Sequence, residues 1–225
     1  MSAVQPITII SRNVHSVESL AQEAYEIIRS KIITLELAPG IPISEASLMT
    51  QLKFGRTPIR EALRLLANEK LVDVYPRRGV FVSSVDVKNL SAISEVRAGL
   101  EVQAAELAAL RSMPADRAIT LELIKEIDAI KGEPEMSKLI QLDQRIHHHI
   151  YESTHNEFLA STLDQYYAHA LRIWFLALDR ITGLSEAIIE HRDLLDAIAK
   201  GDAKAARKAM HDHVEGFEKT ILKTL

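Results

Sequence analysis

Gly55-Arg56-Thr57-Pro58-Ile59-Arg60-Glu61-Ala62-Leu63-Arg64-Leu65-Leu66 is the stretch on which the reading of this chain turns. Pro58 fits the first turn of a helix, where its missing N–H has no intrahelical partner to lose. Beyond it, Ile59, Leu63 and Leu66 recur at helical spacing and form an apolar stripe. Arg56, Arg60 and Arg64 recur every four residues on the other flank, weighted toward the N-terminal half. A recognition helix presents its N-terminal residues to base edges in this way, with arginine as donor to guanine and phosphate. A solvated basic helix face has the same spacing, so the surroundings must decide between the two.

Upstream, Val17 to Leu37 carries Leu20, Ala24, Ile27, Ile28, Ile32 and Leu35 on one stripe, which predicts a first helix stopped by Pro39-Gly40. Ser44 is a suitable N-cap for a short second helix. Leu52-Lys53-Phe54-Gly55 then forms a tight turn into a third helix over residues 57–69. Two short helices joined by a few-residue turn, the second bearing arginines, make a helix-turn-helix. Downstream the period changes: Leu71-Val72-Asp73-Val74-Tyr75 and Val80-Phe81-Val82 are β-prone runs around Pro76-Arg77-Arg78-Gly79. This predicts a hairpin with a basic tip, either an ordinary exposed turn or a wing touching DNA beside the recognition helix.

Charge is spread unevenly over the 225 residues. The net charge is -4, yet residues 1–85 hold ten Lys/Arg against eight Asp/Glu, and residues 53–78 hold seven against three. A local basic patch on an acidic chain favours a specific polyanion site over general stickiness. A hydrophobic content of 47% is ample for a core. No apolar run approaches the roughly 18–20 residues of a membrane span, and the N-terminus lacks the basic start and apolar core of a secretory signal. The absence of cysteine rules out disulfides and thiolate metal sites. It fits a reducing cytoplasm.

From Asp86 onward no strand is expected. Breaks at Met113-Pro114, Gly132-Glu133-Pro134, Thr154-His155-Asn156, Gly183 and Gly201-Asp202 divide the remainder into six predicted helices: 86–112, 115–131, 135–153, 156–180, 184–200 and 202–223. Short loops between amphipathic helices favour antiparallel neighbours. The expected fold is mainly α, a winged helix-turn-helix followed by an antiparallel all-α bundle. The domains are an N-terminal tail over 1–15, the winged helix over 16–83 and the bundle over 84–225.

Asp143 and His147 lie four residues apart, on one face of a predicted helix, and His191 and His213 fall on two further helices. A bundle interior can bring such groups together, and three imidazoles with one carboxylate suit Zn, Ni, Fe or Mn. A surface Asp/His pair or a capped core histidine gives the same spacing. His148, His149 and His211 point to other faces. Arg97, among Val96, Leu100 and Ala104, needs a partner on an otherwise apolar face, and a neighbouring Glu would serve. Asn156 suits the N-cap of a helix. Trp174, Tyr166, Tyr167 and Phe175 read mainly as core, with one or two free to line a pocket.

With these residues in place, the chain resembles the GntR transcription regulators, specifically the FadR subgroup. The N-terminal words are Leu37-Ala38-Pro39-Gly40, Arg56-Thr57-Pro58-Ile59-Arg60-Glu61-Ala62-Leu63, Glu69-Lys70-Leu71-Val72 and Arg77-Arg78-Gly79-Val80-Phe81-Val82. The C-terminal words are Glu95-Val96-Arg97-Ala98-Gly99-Leu100-Glu101, Asp143-Gln144-Arg145-Ile146-His147, Glu190-His191-Arg192-Asp193-Leu194-Leu195, Gly201-Asp202-Ala203 and Met210-His211-Asp212-His213. They look like that subgroup's helical ligand-binding (FCD) domain, and six helices are similar to its shorter, VanR-like variant. The family pattern has glycine, an aliphatic residue and serine where this chain has Lys53, Phe54 and Gly55. Lys53 is thereby expected in a left-handed conformation that glycine adopts more cheaply.

The resemblance implies a ligand-responsive DNA-binding regulator, with repression as the default, acting as a homodimer on a near-palindromic operator of double-stranded DNA. It implies DNA contacts by Arg56, Thr57, Arg60, Glu61, Arg64, Arg77, Arg78 and Gly79. It implies a divalent metal, zinc before nickel, iron or manganese, on Asp143, His147, His191 and His213. A small carboxylate effector would be held by Arg97 and Asn156. A non-enzymatic role is expected. The rivals are a regulator for which the metal itself is the signal and a metal-dependent hydrolase.

Overall fold

The computed structural model describes residues 20–132, 134–177, 180 and 184–224, leaving aside the side chains of 87, 184 and 224. The expected tail, residues 17–19 of the first predicted helix and the Gly183 break lie outside this set. Two compact units divide the chain. One contains the described residues through Asp86 together with Leu171–Leu176; the other contains Val87–Ala170 and the residues from Ala177 onward. The change falls three residues beyond the expected boundary, and the inclusion of Leu171–Leu176 in the first unit has no counterpart in the sequence pattern.

The first unit runs α1 (Leu20–Ile33), β1 (Pro42–Ile43), α2 (Glu45–Leu52), α3 (Arg56–Asn68), β2 (Val72–Tyr75) and β3 (Gly79–Val82). Helix α1 ends four residues before the predicted stop. Leu35 turns left-handed, at φ 60°, and Leu37 N donates to Lys31 O at 2.9 Å, closing the helix end. Ser44 caps α2 as expected, its side chain accepting from Ser47 N at 3.2 Å. Lys53 is left-handed, at φ 58°. Gly55 starts α3 without a side-chain cap bond.

Ile28, Ile32, Ile59, Leu63, Leu66, Leu71, Val72 and Val82 form the core of this unit. Each large apolar side chain so buried contributes about 1.5–3 kcal/mol. At the far end of α3, Glu69 accepts from Arg29 Nε at 3.1 Å and from the Tyr25 hydroxyl, fastening that end to α1. The predicted hairpin gains a third strand. The order is β1-β3-β2, with Ile43 opposite Val80 and Val74 also opposite Val80. Two residues, the first of them a proline, carry too short a pattern to announce a strand. Within the same unit, Arg172 donates to Ser83 Oγ at 2.7 Å and to Ser83 O at 2.6 Å.

The second unit is helical among its described residues. After a 3-10 turn at Val87–Asn89 come α4 (Leu90–Arg111), α5 (Pro114–Asp128), α6 (Met136–Glu152), α7 (Glu157–Ala177, of which Leu171–Leu176 belong to the first unit), α8 (Leu184–Lys200) and α9 (Ala203–Thr224). The six helices fall where the breaks predict, except that the first starts four residues late, behind that turn. Met113-Pro114 opens α5, with Asp116 accepting from Met113 N at 2.8 Å. Gly201, at φ +74°, makes the turn into α9, where Asp202 Oδ1 accepts from Ala205 N at 3.0 Å. Helix α4 packs along α9, α5 along α8, and α8 against α9. No described helix is long and apolar enough to cross a membrane.

Candidate functional site

Two sets of side chains stand out, one in each unit. In the first, α3 buries Ile59, Ala62, Leu63 and Leu66 and turns Arg56, Thr57, Arg60, Glu61 and Arg64 to solvent. The periodicity therefore divides the helix as its sequence predicts. Arg60 Nε lies 3.1 Å from Glu45 Oε2 at the start of α2, both exposed enough for the pair to exchange for another acceptor. The β2–β3 turn holds Arg77 at φ 63° and Gly79 at φ 99°. An added Cβ at Gly79 would meet nothing within 4 Å, so the demand for glycine there is purely conformational. The Arg78 guanidinium stacks 5.6 Å from the Tyr75 ring, which meets Phe81 edge-on at 5.6 Å. Arg77, Arg78 and Gly79 are all exposed.

The second set sits inside the helical unit, where helices contribute residues one turn apart. Helix α4 provides Arg97 and Glu101, α6 provides Asp143, His147 and Tyr151, and α9 provides His213 and Phe217. Tyr167 comes from α7 and His191 from α8. His147, His191 and His213 each bring a ring nitrogen within 4.8 Å of the others, and all three are buried. His147 Nε2 and His191 Nε2 are 3.2 Å apart. Asp143 Oδ1 lies 3.6 Å from His191 Nε2 and 3.9 Å from His147 Nε2. The four residues expected to converge on a metal therefore converge, from three helices.

The electrostatics suit ligation. Burial holds His191 down to about 4, against the opposing pull of Asp143. Burial, aided by His191 and His147, pushes His213 well below the usual histidine range. Both rings are thus neutral at pH 7, with a lone pair to give. His191 Nδ1 lies 3.3 Å from Ile188 O, an acceptor that fixes the proton on Nδ1 and leaves Nε2 bare. His213 Nδ1 is buried without a hydrogen-bond partner, a cost unless something else meets it. Two ligands about 2.1 Å from one ion, at 90–109° to each other, stand about 3.0–3.4 Å apart. The 3.2 Å between the imidazoles lies within that range. The residues present fit a divalent ion.

Arg97 has the neighbouring glutamate that its surroundings require. Its Nε donates to Glu101 Oε1 at 2.6 Å, with both side chains buried. The Tyr167 and Phe217 rings lie 5.7 and 5.4 Å from the guanidinium carbon. Burial works against the charge on Glu101, but Arg97 and then His147 outweigh it and hold the carboxyl down at about 2. Glu101 Oε2 stands 3.1 Å from His147 Nδ1. The Tyr167 hydroxyl donates to Asp143 Oδ2.

Glu101, Tyr151 and Phe217 escaped the sequence reading. Each lies four residues beyond a residue that it singled out, and that spacing was the available signal. Of the other candidates, Asn156 serves the start of α7, its Oδ1 accepting from Leu159 N at 3.3 Å. His149 Nε2 lies 2.8 Å from Thr120 Oγ1, and His211 is exposed beside Glu215. Among Trp174, Tyr166, Tyr167 and Phe175, Tyr167 lies against the cluster, its ring centroid 4.8 Å from that of His147.

A winged helix with its arginines outward, on one chain with a helical unit enclosing a histidine cluster, has the makeup of a one-component transcription regulator. Residues 20–82 match the family described as bacterial regulatory proteins, gntR family, and residues 92–216 match the FCD domain. A Streptomyces ambofaciens protein named as an uncharacterized HTH-type transcriptional regulator in an unstable DNA locus is 32% identical over 196 residues, 86% of this chain and 81% of its own length. The Escherichia coli transcriptional repressor RspR is 23% identical, with 94% of this chain and 93% of its own covered. The solved structure of Escherichia coli McbR/YncC aligns with a TM-score of 0.81 at 22% identity, covering 92% of this chain and 99% of that one. The chain belongs to the GntR family of transcriptional regulators, with an FCD domain as its C-terminal half. It is a DNA-binding regulator and not an enzyme, which removes the hydrolase from consideration.

Proposed function

We propose that this regulator is a homodimeric repressor on a near-palindromic operator, and that a small organic acid relieves the repression at a metal held in the helical unit. Asp143, His147, His191 and His213 would hold a divalent ion, zinc first by the chemistry of the donors. Arg97 would take the acid's carboxylate beside it. When bound, the ion would offer a Lewis-acid position to a carboxylate oxygen. The observation that carries this reading is the convergence of three buried imidazole nitrogens within 4.8 Å of one another. Charge supports a singly charged acid. Arg97 and Glu101 cancel, so a divalent ion with Asp143 leaves one positive charge enclosed. Asn156, whose Oδ1 caps α7, would keep its side-chain NH2 for the acid.

The acid acts only by binding two states of the protein unequally. The test takes DNA selected by the full-length chain from a random duplex pool and measures its affinity by mobility shift, after chelation and with zinc restored. Acetate and lactate are then added. Weakening of about fivefold or more with zinc and acid together is the expected result. Weakening by zinc alone makes the metal the signal. Indifference to both overturns the metal-and-acid reading.

A further inference from the structure

Arg97 lies on α4 and the three histidines on α6, α8 and α9. A single carboxylate joins them. Glu101 Oε1 accepts from Arg97 Nε at 2.6 Å, and Oε2 stands 3.1 Å from His147 Nδ1, the nitrogen on the far side of the ring from His191. We propose that Glu101 is a positioning residue that sets the proton of His147 on Nδ1 and pins Arg97 by Nε, so that one side chain aligns a metal ligand and the acid-binding guanidinium together. The inference rests on the function proposed above.

The chemistry follows from what each partner can give. Arg97 Nε–H is a donor under all conditions. A histidine that ligates through Nε2 must carry its proton on Nδ1, and a carboxylate behind the ring is the usual means of holding it there. Only a carboxylate presents two acceptor oxygens to two such donors; a carboxamide has one oxygen and must turn its NH2 toward the other donor. Glu101 meets Arg97 at Nε, set back from the guanidinium's terminal nitrogens, and the Tyr167 and Phe217 rings flank the group. The fork that recognises a carboxylate is thereby held in one orientation.

A competing arrangement exists. The Tyr151 hydroxyl lies 3.2 Å from the same Nδ1. If it donated there, the proton would move to Nε2 and close that nitrogen to a metal. Glu101 Oε2 is buried without a hydrogen-bond partner as the side chains stand, so turning Nδ1–H onto it, 3.1 Å away, satisfies an orphaned ionised oxygen, the stronger acceptor for that proton.

The two arrangements differ in an observable. Chelator-treated full-length protein carrying nitrogen-15 histidine is examined by long-range proton–nitrogen correlation, with His147 assigned through its loss in His147→Gln. Protonation on Nδ1 is expected, with Glu101 outcompeting the bare His191 Nε2, which lies 3.2 Å from His147 Nε2 and draws the proton there in the metal-free protein; protonation on Nε2 overturns the inference. This measurement is made on the unaltered chain, needs only His147→Gln for its assignment, and stands even if Glu101→Gln fails to fold. Glu101→Gln is expected to weaken zinc binding tenfold or more against a chromophoric chelator and to disturb the His147 tautomer. A glutamate serving merely as counterion to Arg97 would alter stability alone, so an unchanged tautomer with a zinc affinity within threefold of the unaltered chain's also overturns it. Failure of the unaltered chain to bind zinc refutes the metal reading instead, and the tautomer still decides the role of Glu101.

Discussion

Acidifying the metal-free protein from pH 7 to 5 is expected to destabilise the helical unit through His191. An unfolded histidine titrates at about 6.5, whereas burial holds folded His191 down to about 4. Between those values the unfolded chain takes up a proton and the folded chain does not. Stability is therefore complete above pH 6.5 and is lost as pH falls toward 4. A gap of about 2.5 units at 1.36 kcal/mol each corresponds to about 3 kcal/mol, of which about 2 kcal/mol is gone by pH 5. His213, pushed down by the same burial, adds loss in the same direction. Glu101, held at about 2, stays ionised throughout and contributes nothing in this window. The assay is thermal unfolding followed by circular dichroism, with chelator present, at pH 7 and 5. About 2 kcal/mol corresponds to a drop of roughly 6 °C for a unit of this size. His191→Asn lowers stability at pH 7 by leaving a gap, but its further loss on acidification is expected to be smaller by about 2 kcal/mol. Equal pH dependence in the two proteins would refute the argument that a buried, neutral ring at 191 resists the proton.

Three other expectations concern the winged helix. Arg60→Ala is expected to cost about 1–3 kcal/mol of operator binding, read by mobility shift, with thermal stability nearly unchanged because its pair with Glu45 is exposed; retained affinity and specificity would sink the recognition-helix assignment. Lys53→Gly is expected to stabilise the unit by up to about 1 kcal/mol in urea unfolding, since it removes a left-handed lysine at φ 58°. A destabilised variant would mean that the lysine side chain contributes more than its backbone strain costs. Leu66→Ala, at a position with no exposure, is expected to cost about 2–5 kcal/mol in the same assay.

What the sequence made legible was whatever depends on residues close together in the chain. The stripe Ile59-Leu63-Leu66, the Ser44 cap, the left-handed Lys53 and the breaks at Pro114 and Gly201 are settled within a turn or two. The structure has all of them. The end of α1 departs from the periodicity because Leu35 continues the apolar stripe, while its own left-handed conformation takes it out of the helix. Strand β1 exists only because β3 offers Ile43 a partner at Val80, a pairing across 37 residues that no local period records.

The candidate site divides along the same line. Asp143, His147, His191 and His213 were recoverable because ligating side chains are chemically distinctive, and the family resemblance said which of nine histidines to choose. Glu101 closes one of the family words, but nothing there gives it a role at the histidines. On α4 it is one acidic residue among several, and its partner on α6 is distant in sequence. Even so, the helical repeat narrowed the choice. A buried Arg97 demands a counter-charge one turn away, and the carboxylate that meets this demand is carried by α4 packing onto α6 to the back of His147. The i, i+4 relation supplied the pair, and only helix packing supplied the third member.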